Sequence, residues 1–291
     1  MSASPREHFL AALDDPPDVR VRRVDSLILP ALDYARACVH EAGARVLGLC
    51  GPQGSGKSTL VAQLVEGLAL GGPGSRGLRA VAMSIDDFYL THAEQRALAA
   101  AHPGSPYLEH RGYPGTHDVA LGARTLDALV ALGPGERLRI PRYDKGAHGG
   151  RGDRHPEHPH ETSAWPEVEG PIDLVILEGW MLGFAPVGPP YDDLHLEAPD
   201  RALASYDAWH RRLHAFVHLD LARTDDVVDF RVEAERRRRA AGEPGLSDAD
   251  AEDYVRRFLI AYRTWVPGLR AKPPVAPSMR LTIGADRLPR R

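Results

Sequence analysis

Arg45–Ser58 reads RVLGLCGPQGSGKS, an apolar run ending at Cys50 followed by Gly51-Pro-Gln-Gly-Ser-Gly-Lys-Ser58. The second half fits G-x-x-x-x-G-K-[S/T] in full, with a short strand before it and a helix carrying Leu60, Val61 and Leu64 after it. Glycines let a backbone wrap closely around phosphate oxygens, and the helix N-terminus adds partial positive charge. Lys57 is expected to reach the β and γ phosphates of a nucleoside triphosphate, and Ser58 to offer its hydroxyl to Mg²⁺. The expected nucleotide contacts are Gly51, Pro52, Gln53, Gly54, Ser55, Gly56, Lys57, Ser58 and Thr59.

Working outward, apolar strands alternate with helical patterns. Strands are expected at Ala80–Ser84, Leu138–Ile140, Ile172–Leu177, Ala215–Leu219 and Met279–Ile283. Helices are expected over Ser26–Ala42, closed by Gly43, and over Lys57–Leu70, Ala93–Ala101, Val119–Leu132, Ala202–Leu213 and Asp226–Ala241. This order predicts an α/β, three-layer fold around a mostly parallel five-stranded sheet. Residues 1–24 read as a polar, proline-punctuated extension that need not belong to the core, and 25–291 as a single domain. The connections His102–Thr116, Tyr143–Pro171 and Gly179–Pro199 are long enough to be read as functional loops.

Composition narrows the function. The chain of 291 residues is 43% apolar and carries 40 acidic against 36 basic residues, a net charge of -4. No overall positive field is available for nucleic acid or an anionic membrane. Two cysteines make no disulfide framework, no apolar run approaches the roughly 20 residues that span a bilayer, and Met1–Val21 lacks a signal-peptide core. A cytoplasmic location is expected. Asn is absent, which removes the Asn-Lys-x-Asp guanine-reading motif of GTPases. Only Lys57, Lys145 and Lys272 are lysines, so an ammonium is kept at few places, either where a compact point charge is needed rather than a planar fork or by chance under a codon bias toward Arg, as Lys272 in its proline-rich stretch suggests.

The second strand ends in Ser84-Ile-Asp-Asp-Phe-Tyr-Leu90, placing Asp86 and Asp87 at the carboxyl end of a strand, the edge where open α/β sheets bind ligands. A carboxylate there can take the proton of an attacking hydroxyl; the bland alternative is a helix-capping Asp beside a solvated one. Glu178 ends another strand and suits Mg²⁺ or its water shell. Arg111, Arg142, Arg151 and Arg154 lie in long loops, where a guanidinium fork could clamp a carboxylate, with Arg111 and Arg142 first. Tyr143 and Asp144 could bond substrate hydroxyls, and Asp144 could instead pair with Lys145. His117 precedes Asp118 at a helix start, where Thr116 or Asp118 would ordinarily cap. The tract holding His148, His155, His158 and His160 has no fixed metal-ligand spacing. In Arg231–Arg239 the pairs Glu233/Arg237 and Glu235/Arg239 fit an exposed helix, leaving Arg231 and Arg238 on one face without a Glu four residues before.

SIDDFYL resembles the Asp-Ser-Phe-Tyr segment that follows the second strand in uridine kinase, phosphoribulokinase and pantothenate kinase. Four further segments, RGYPGTHD (111–118), PRYDK (141–145), GGRGDR (149–154) and LEGWMLGF (177–184), narrow the resemblance to the D-glycerate 3-kinase family, over about Val46–Asp286. The resemblance implies a P-loop NTPase-type fold with an arginine-bearing helical lid supplied by Arg231 and Arg238. It implies Asp86 as base, with Lys57 and the lid arginines completing the catalytic set, and Ser58 and Glu178 at the metal. Asp87, Tyr89, Arg111, His117, Arg142, Tyr143 and Lys145 are the implied substrate contacts. The expectation is an ATP- and Mg²⁺-dependent kinase transferring the γ-phosphate to a small acidic alcohol, D-glycerate giving 3-phosphoglycerate. The alternatives are another acceptor (pantothenate, a nucleoside or a sugar acid) or a nucleotide-dependent switch or assembly ATPase. No nucleic-acid or membrane partner is expected, and the sequence leaves the oligomeric state open.

Overall fold

The structure, a computed structural model, describes residues 4–70, 76–155, 165–242 and 245–290. Five strands build one sheet in the order β2-β7-β1-β8-β9, every neighbouring pair parallel: β1 Val46–Cys50, β2 Ala80–Ser84, β7 Leu174–Gly179, β8 Ala215–Leu221 and β9 Ser278–Ile283. Every residue of β1, β7 and β8 is buried, as expected for central strands covered on both faces. The sheet is therefore wholly parallel, a step beyond the mostly parallel expectation.

Helices cover both faces. On one lies a core of Leu32, Leu47, Leu49, Leu64, Ile176 and Val217; on the other Phe88, Leu126, Leu177, Phe216, Tyr262 and Trp265 pack together. The first segment joins the former core. Phe9, in the Pro5–Ala12 helix, is 1% exposed, and a Cβ added at Gly67 of the Lys57–Ala69 helix would meet Leu32 Cδ2 at 2.8 Å and Phe9 Cε2 at 3.2 Å. Phe9 thus contributes to the interior from a segment that, on its sequence, need not belong to the core.

Three other readings are corrected. Leu138–Ile140 does not enter the main sheet. The strand here is β3 (Arg137–Arg139), paired antiparallel with β6 (Glu167–Glu169) as a surface ribbon. Its flanking Arg137 reaches Glu167 at 3.0 Å and Glu169 at 3.2 Å, so only Leu138 turns inward. A second small ribbon joins β4 (Tyr143–Asp144) to β5 (Asp153–Arg154). The stretch Ala202–Leu213 is not one helix. It runs through Glu197–Ala202, a 3₁₀ turn at Leu203–Tyr206 and a short helix at Asp207–His210. Leu203, Tyr206 and Trp209 are buried at a spacing of three, the 3₁₀ period, and that spacing selects the tighter turn. The helix read as Ser26–Ala42 begins earlier, at Pro17, and widens into a π turn at Val24–Ile28 before continuing from Leu29 to Ala42. Pro30 has no N–H to complete the regular ladder, which accounts for the widened turn before it. Gly43, at φ +64°, ends the helix as its position implied.

One long element was not read from the sequence: the helix Asp248–Ala271, capped by Ser247, whose hydroxyl accepts from the Asp250 amide. It buries Val255, Phe258, Leu259, Tyr262, Trp265 and Leu269, a helical period that was available in the sequence. Among the described residues no helix is long and apolar enough to cross a membrane.

Buried histidines make the fold acid-sensitive. Burial pushes His117 down to about 3 and His210, whose Nε2 accepts from the Gly183 amide at 3.0 Å, down to about 4. An unfolded histidine titrates near 6.5, so between that value and about 4 the unfolded chain binds protons that the native chain refuses. Stability is then lost as pH falls, on the order of 1–2 kcal/mol per buried histidine by pH 5. Urea unfolding is expected to show a lower midpoint at pH 5 than at pH 7, with a shallower pH slope in His210→Gln; an identical slope in that variant would contradict the assignment.

Candidate active site

The register of the three strands on one side of the sheet fixes the site. Cys50 lies opposite Gly179, and both Leu49 and Ser84 lie opposite Glu178. The carboxyl ends of β1, β7 and β2 therefore finish level, and the residues that follow them face one edge. From β1 comes the glycine loop, with Gly54 at φ +74° and Gly56 at φ +87°, conformations a side chain resists. Gly54 is also tightly approached: an added Cβ would sit 2.7 Å from Phe230 Cβ on the Asp226–Ala240 helix. The Gln53 amide donates to the Tyr262 hydroxyl at 3.1 Å, which ties the loop to the Asp248–Ala271 helix. Ser55 is 3% exposed and its hydroxyl has no hydrogen-bond partner.

Glu178 ends β7 against the first turn of the loop's helix. The Ser58 hydroxyl donates to its Oε1 at 3.0 Å, and Lys57 Nζ lies 3.7 Å from its Oε2, a buried atom with no hydrogen-bond partner. This pair of hard oxygens, one hydroxyl and one buried carboxylate, fits Mg²⁺, which takes few protein ligands and keeps water and phosphate oxygens for the rest. Among the described residues no three His, Cys, Asp or Glu side chains converge as a metal cage.

From β2 the chain enters the turn Ile85–Phe88, and the two aspartates separate in role. Asp86 Oδ2 lies 2.5 Å from Lys145 Nζ. Burial alone would raise its pKa, but the Lys145 ammonium, with Lys57 behind it, holds the carboxyl below the usual range. Asp87 instead accepts from the Ser84 amide at 3.3 Å and pairs with Arg142 at 3.0 Å. Burial pushes its pKa up despite Arg142. Asp87 and Arg142 therefore pair with one another beside the site.

Arg111 is also engaged. Its guanidinium donates to the carbonyls of Gly150 (2.9 Å), Lys145 (3.2 Å) and Arg151, and it lies 5.5 Å over the Tyr143 ring. It staples the β4–β5 loop that carries Lys145. Arg154 is held by Asp118 at 3.4 Å and Glu94 at 3.9 Å. The pairing of Lys145 with Asp144 does not form: Asp144 accepts from the Gly146 amide at 2.8 Å. Asp118 caps its helix, accepting from Leu121 at 2.8 Å. His117 lies behind Tyr89, with ring centroids 4.4 Å apart. Its Nδ1 is 2.7 Å from the Tyr206 hydroxyl, which accepts from the Gly115 amide, and its buried Nε2 has no partner. Burial, then the nearby Asp86 carboxylate, keeps the Tyr89 phenol protonated. His148 stacks on His92 and pairs with Asp153, while His158 and His160 lie outside the described residues.

These groups surround a cavity of about 730 Å³ that brings Gln53, Gly54 and Lys57 together with Asp86, Tyr89, Arg111 and Lys145. Arg231 and Arg238 line it from the Asp226–Ala240 helix. Asp87, His117, Arg142 and Tyr143 are not among the residues that line it. The expected Glu235–Arg239 pair is replaced: Glu235, 2% exposed, pairs with Arg231 at 2.6 Å and accepts from Leu246, while Arg239 reaches Asp248. Arg231 also lies 4.9 Å over the Tyr254 ring. Of the two residues that hold Arg231, Glu235 has two i, i+4 arginines to choose from, and the sequence reading chose Arg239, whereas Tyr254 lies in another helix and was not read. Arg287 was missed as well. It donates to the Gly54 carbonyl at 2.7 Å and pairs with Glu233 at 2.5 Å; the one signal was its place just beyond β9, at the same sheet edge.

Comparison with known proteins agrees with this geometry. No protein-family profile matches the chain. It is 40% identical over 250 residues to the chloroplastic D-glycerate 3-kinase of Arabidopsis thaliana, covering 83% of this chain and 52% of that protein, so it spans about half of that relative's length. It is 33% identical to the uncharacterized kinase mug58 of Schizosaccharomyces pombe, covering 84% of this chain and 89% of that protein. Among solved structures, the D-glycerate 3-kinase of Cryptococcus neoformans superposes with a TM-score of 0.75 at 26% identity, over 89% of this chain and 95% of that one. With a complete phosphate loop, an acid at the end of the neighbouring strand and kinase relatives along most of its length, the chain belongs to the D-glycerate 3-kinase family of P-loop kinases.

Proposed function

We propose that the protein transfers the γ-phosphate of ATP to D-glycerate, giving 3-phosphoglycerate. The observation that carries this reading is the shared cavity, in which an ionised Asp86 faces the lysine of the phosphate loop and is itself contacted by a second lysine. Lys57 and the loop amides hold the β and γ phosphates. Ser58 and Glu178 would hold Mg²⁺, which when bound neutralises charge on the phosphate oxygens. Asp86 accepts the proton of the acceptor hydroxyl during in-line attack. Arg231 and Arg238, facing the cavity from the helix above the loop, neutralise charge on the group in transit as a lid.

The acceptor's charge follows from the groups that line the cavity. Lys57, Arg111, Lys145, Arg231 and Arg238 stand there against Asp86 and Glu235, an excess of cations. Arg111 bonds backbone carbonyls, which leaves Lys145 as the group placed to meet an acceptor carboxylate. An anion arriving there shares the Lys145 charge, loosening its hold on Asp86 and raising the basicity of that carboxylate as the hydroxyl comes within reach. A small hydroxy acid fits both needs, and the D-glycerate 3-kinases among the relatives supply the specific candidate.

ADP release measured with D-glycerate against pantothenate, nucleosides and sugar acids tests the reading, together with identification of the phosphorylated product. The expected result is strong stimulation by D-glycerate alone; stimulation by another panel member and not by glycerate would reassign the acceptor. Asp86→Asn is expected to lower turnover by roughly 10²- to 10⁴-fold while ATP still binds. Near-normal turnover would remove Asp86 as the base. Lys145→Met removes the cation that depresses the Asp86 pKa, so the acid limb of the kcat/KM profile is expected to move to higher pH. The same variant should raise KM for the acid by roughly 10- to 100-fold, the loss of one charged hydrogen bond. An unmoved acid limb would show that the two groups do not titrate together.

A further inference from the structure

Gly54 and Lys57 line two cavities, one on each side of the phosphate loop. The first, with Asp86 and Lys145, takes the reacting end of a triphosphate. The second, of about 500 Å³, opens on the other side along Ser55, Ser58 and Thr59. A linear triphosphate seated in the loop with its γ end toward Asp86 has this second opening, which shares Gly54 and Lys57, to receive its other end. Its size is within the roughly 300–1,000 Å³ of small-molecule sites.

We propose that this second cavity holds the nucleoside half of ATP, and that the N-terminal segment forms one of its walls and so belongs to the active site. The inference rests on the reading of ATP as phosphoryl donor. The wall has the composition a nucleoside needs. Leu13 and Leu27 from the segment, with Leu60 from the loop's helix, offer apolar surface to a base. Asp15 and Arg23, paired at 2.8 Å with side chains 26% and 22% exposed, offer polar atoms to a ribose. The buried Ser55 hydroxyl, without a partner, lines the same cavity.

The segment is fixed firmly enough to serve as a wall. Phe9 is sunk in the core, Arg20 donates to the Leu10 carbonyl at 3.0 Å and the Asp15 carbonyl at 3.2 Å, and Arg6 pairs with Asp25 at 2.7 Å. Residues 10–15 are thereby held between two anchored helices. Across the opening Arg287 braces the loop through the Gly54 carbonyl, so both sides are preorganised.

The test separates the two halves of the ligand. Calorimetric titration of the full chain, with magnesium, compares ATP with inorganic tripolyphosphate, which has the anionic part and no nucleoside. Leu13→Trp fills the cavity, and Leu13→Gln keeps its size while removing the apolar surface. Both are expected to weaken ATP, Leu13→Trp by about tenfold or more, and to leave tripolyphosphate within about twofold. Unchanged ATP affinity in both variants overturns the proposal. So does an equal loss of both ligands in a variant that melts at the wild-type temperature. Wild-type protein that binds neither ligand overturns the nucleotide reading itself, and the proposal with it; wild-type protein that binds tripolyphosphate but gains nothing from the nucleoside overturns the proposal alone.

Discussion

The site depends on the level ending of three parallel strands. With Ser84 opposite Glu178 and Cys50 opposite Gly179, the loop after β1, the acid at the end of β7 and the turn after β2 are delivered to one edge by the strand register. A shift of one residue in either pairing would turn every side chain of that strand to the other face. Both faces are packed, against Leu64 and Ile176 on one side and Phe88 and Leu177 on the other, so the core enforces the register. The chemistry is placed by burial of hydrocarbon some distance from it.

Arginine and lysine divide the labour around this edge. Arg111 binds three backbone carbonyls, Arg270 takes both oxygens of Asp220, and Arg287 joins a loop carbonyl to Glu233. Each use needs several donors in a plane, which a guanidinium supplies and an ammonium does not. Lys57 and Lys145 sit where one compact charge faces a carboxylate and a ligand must compete for it. Lys272, just past the end of the last helix, has no such place, so scarcity of lysine pointed to the site for two residues of three.

What the sequence made legible follows from range. The glycine loop, the strand that feeds it and the acids at strand ends are local patterns whose geometry needs no distant partner, and the structure places them as read. Arg111 and Arg142 stand first among the loop arginines on sequence, yet nothing local tells a carbonyl staple from a ligand clamp. Arg142 is taken by Asp87, 55 residues away, and Arg111 by carbonyls 34 to 40 residues away. The Ala202–Leu213 stretch failed for the opposite reason: its spacing of three was local and visible, but it was read with the α period. The missed helix Asp248–Ala271 carried a clear apolar period behind a run of acids.

The Asp226–Ala240 helix shows how the nucleotide loop and the arginines above it are mechanically joined. Few of its residues are buried, and Phe230 among them packs against Gly54 so closely that no side chain fits between. Arg287 then binds Gly54 and this helix together, through the Phe230 carbonyl at 3.4 Å, the Phe230 ring at 4.4 Å and Glu233. One helical turn further on, Glu235 is buried and fixes Arg231 over Tyr254. A displacement of the loop at Gly54 is therefore carried by a packed contact and an ion pair into the helix that aims Arg231 at the cavity. An arginine on a freely hinged loop would lose rotamer freedom each time a phosphate arrived, a cost of up to roughly 2 kcal/mol. Arg231, held by a carboxylate and a ring before the ligand comes, has already given up most of it.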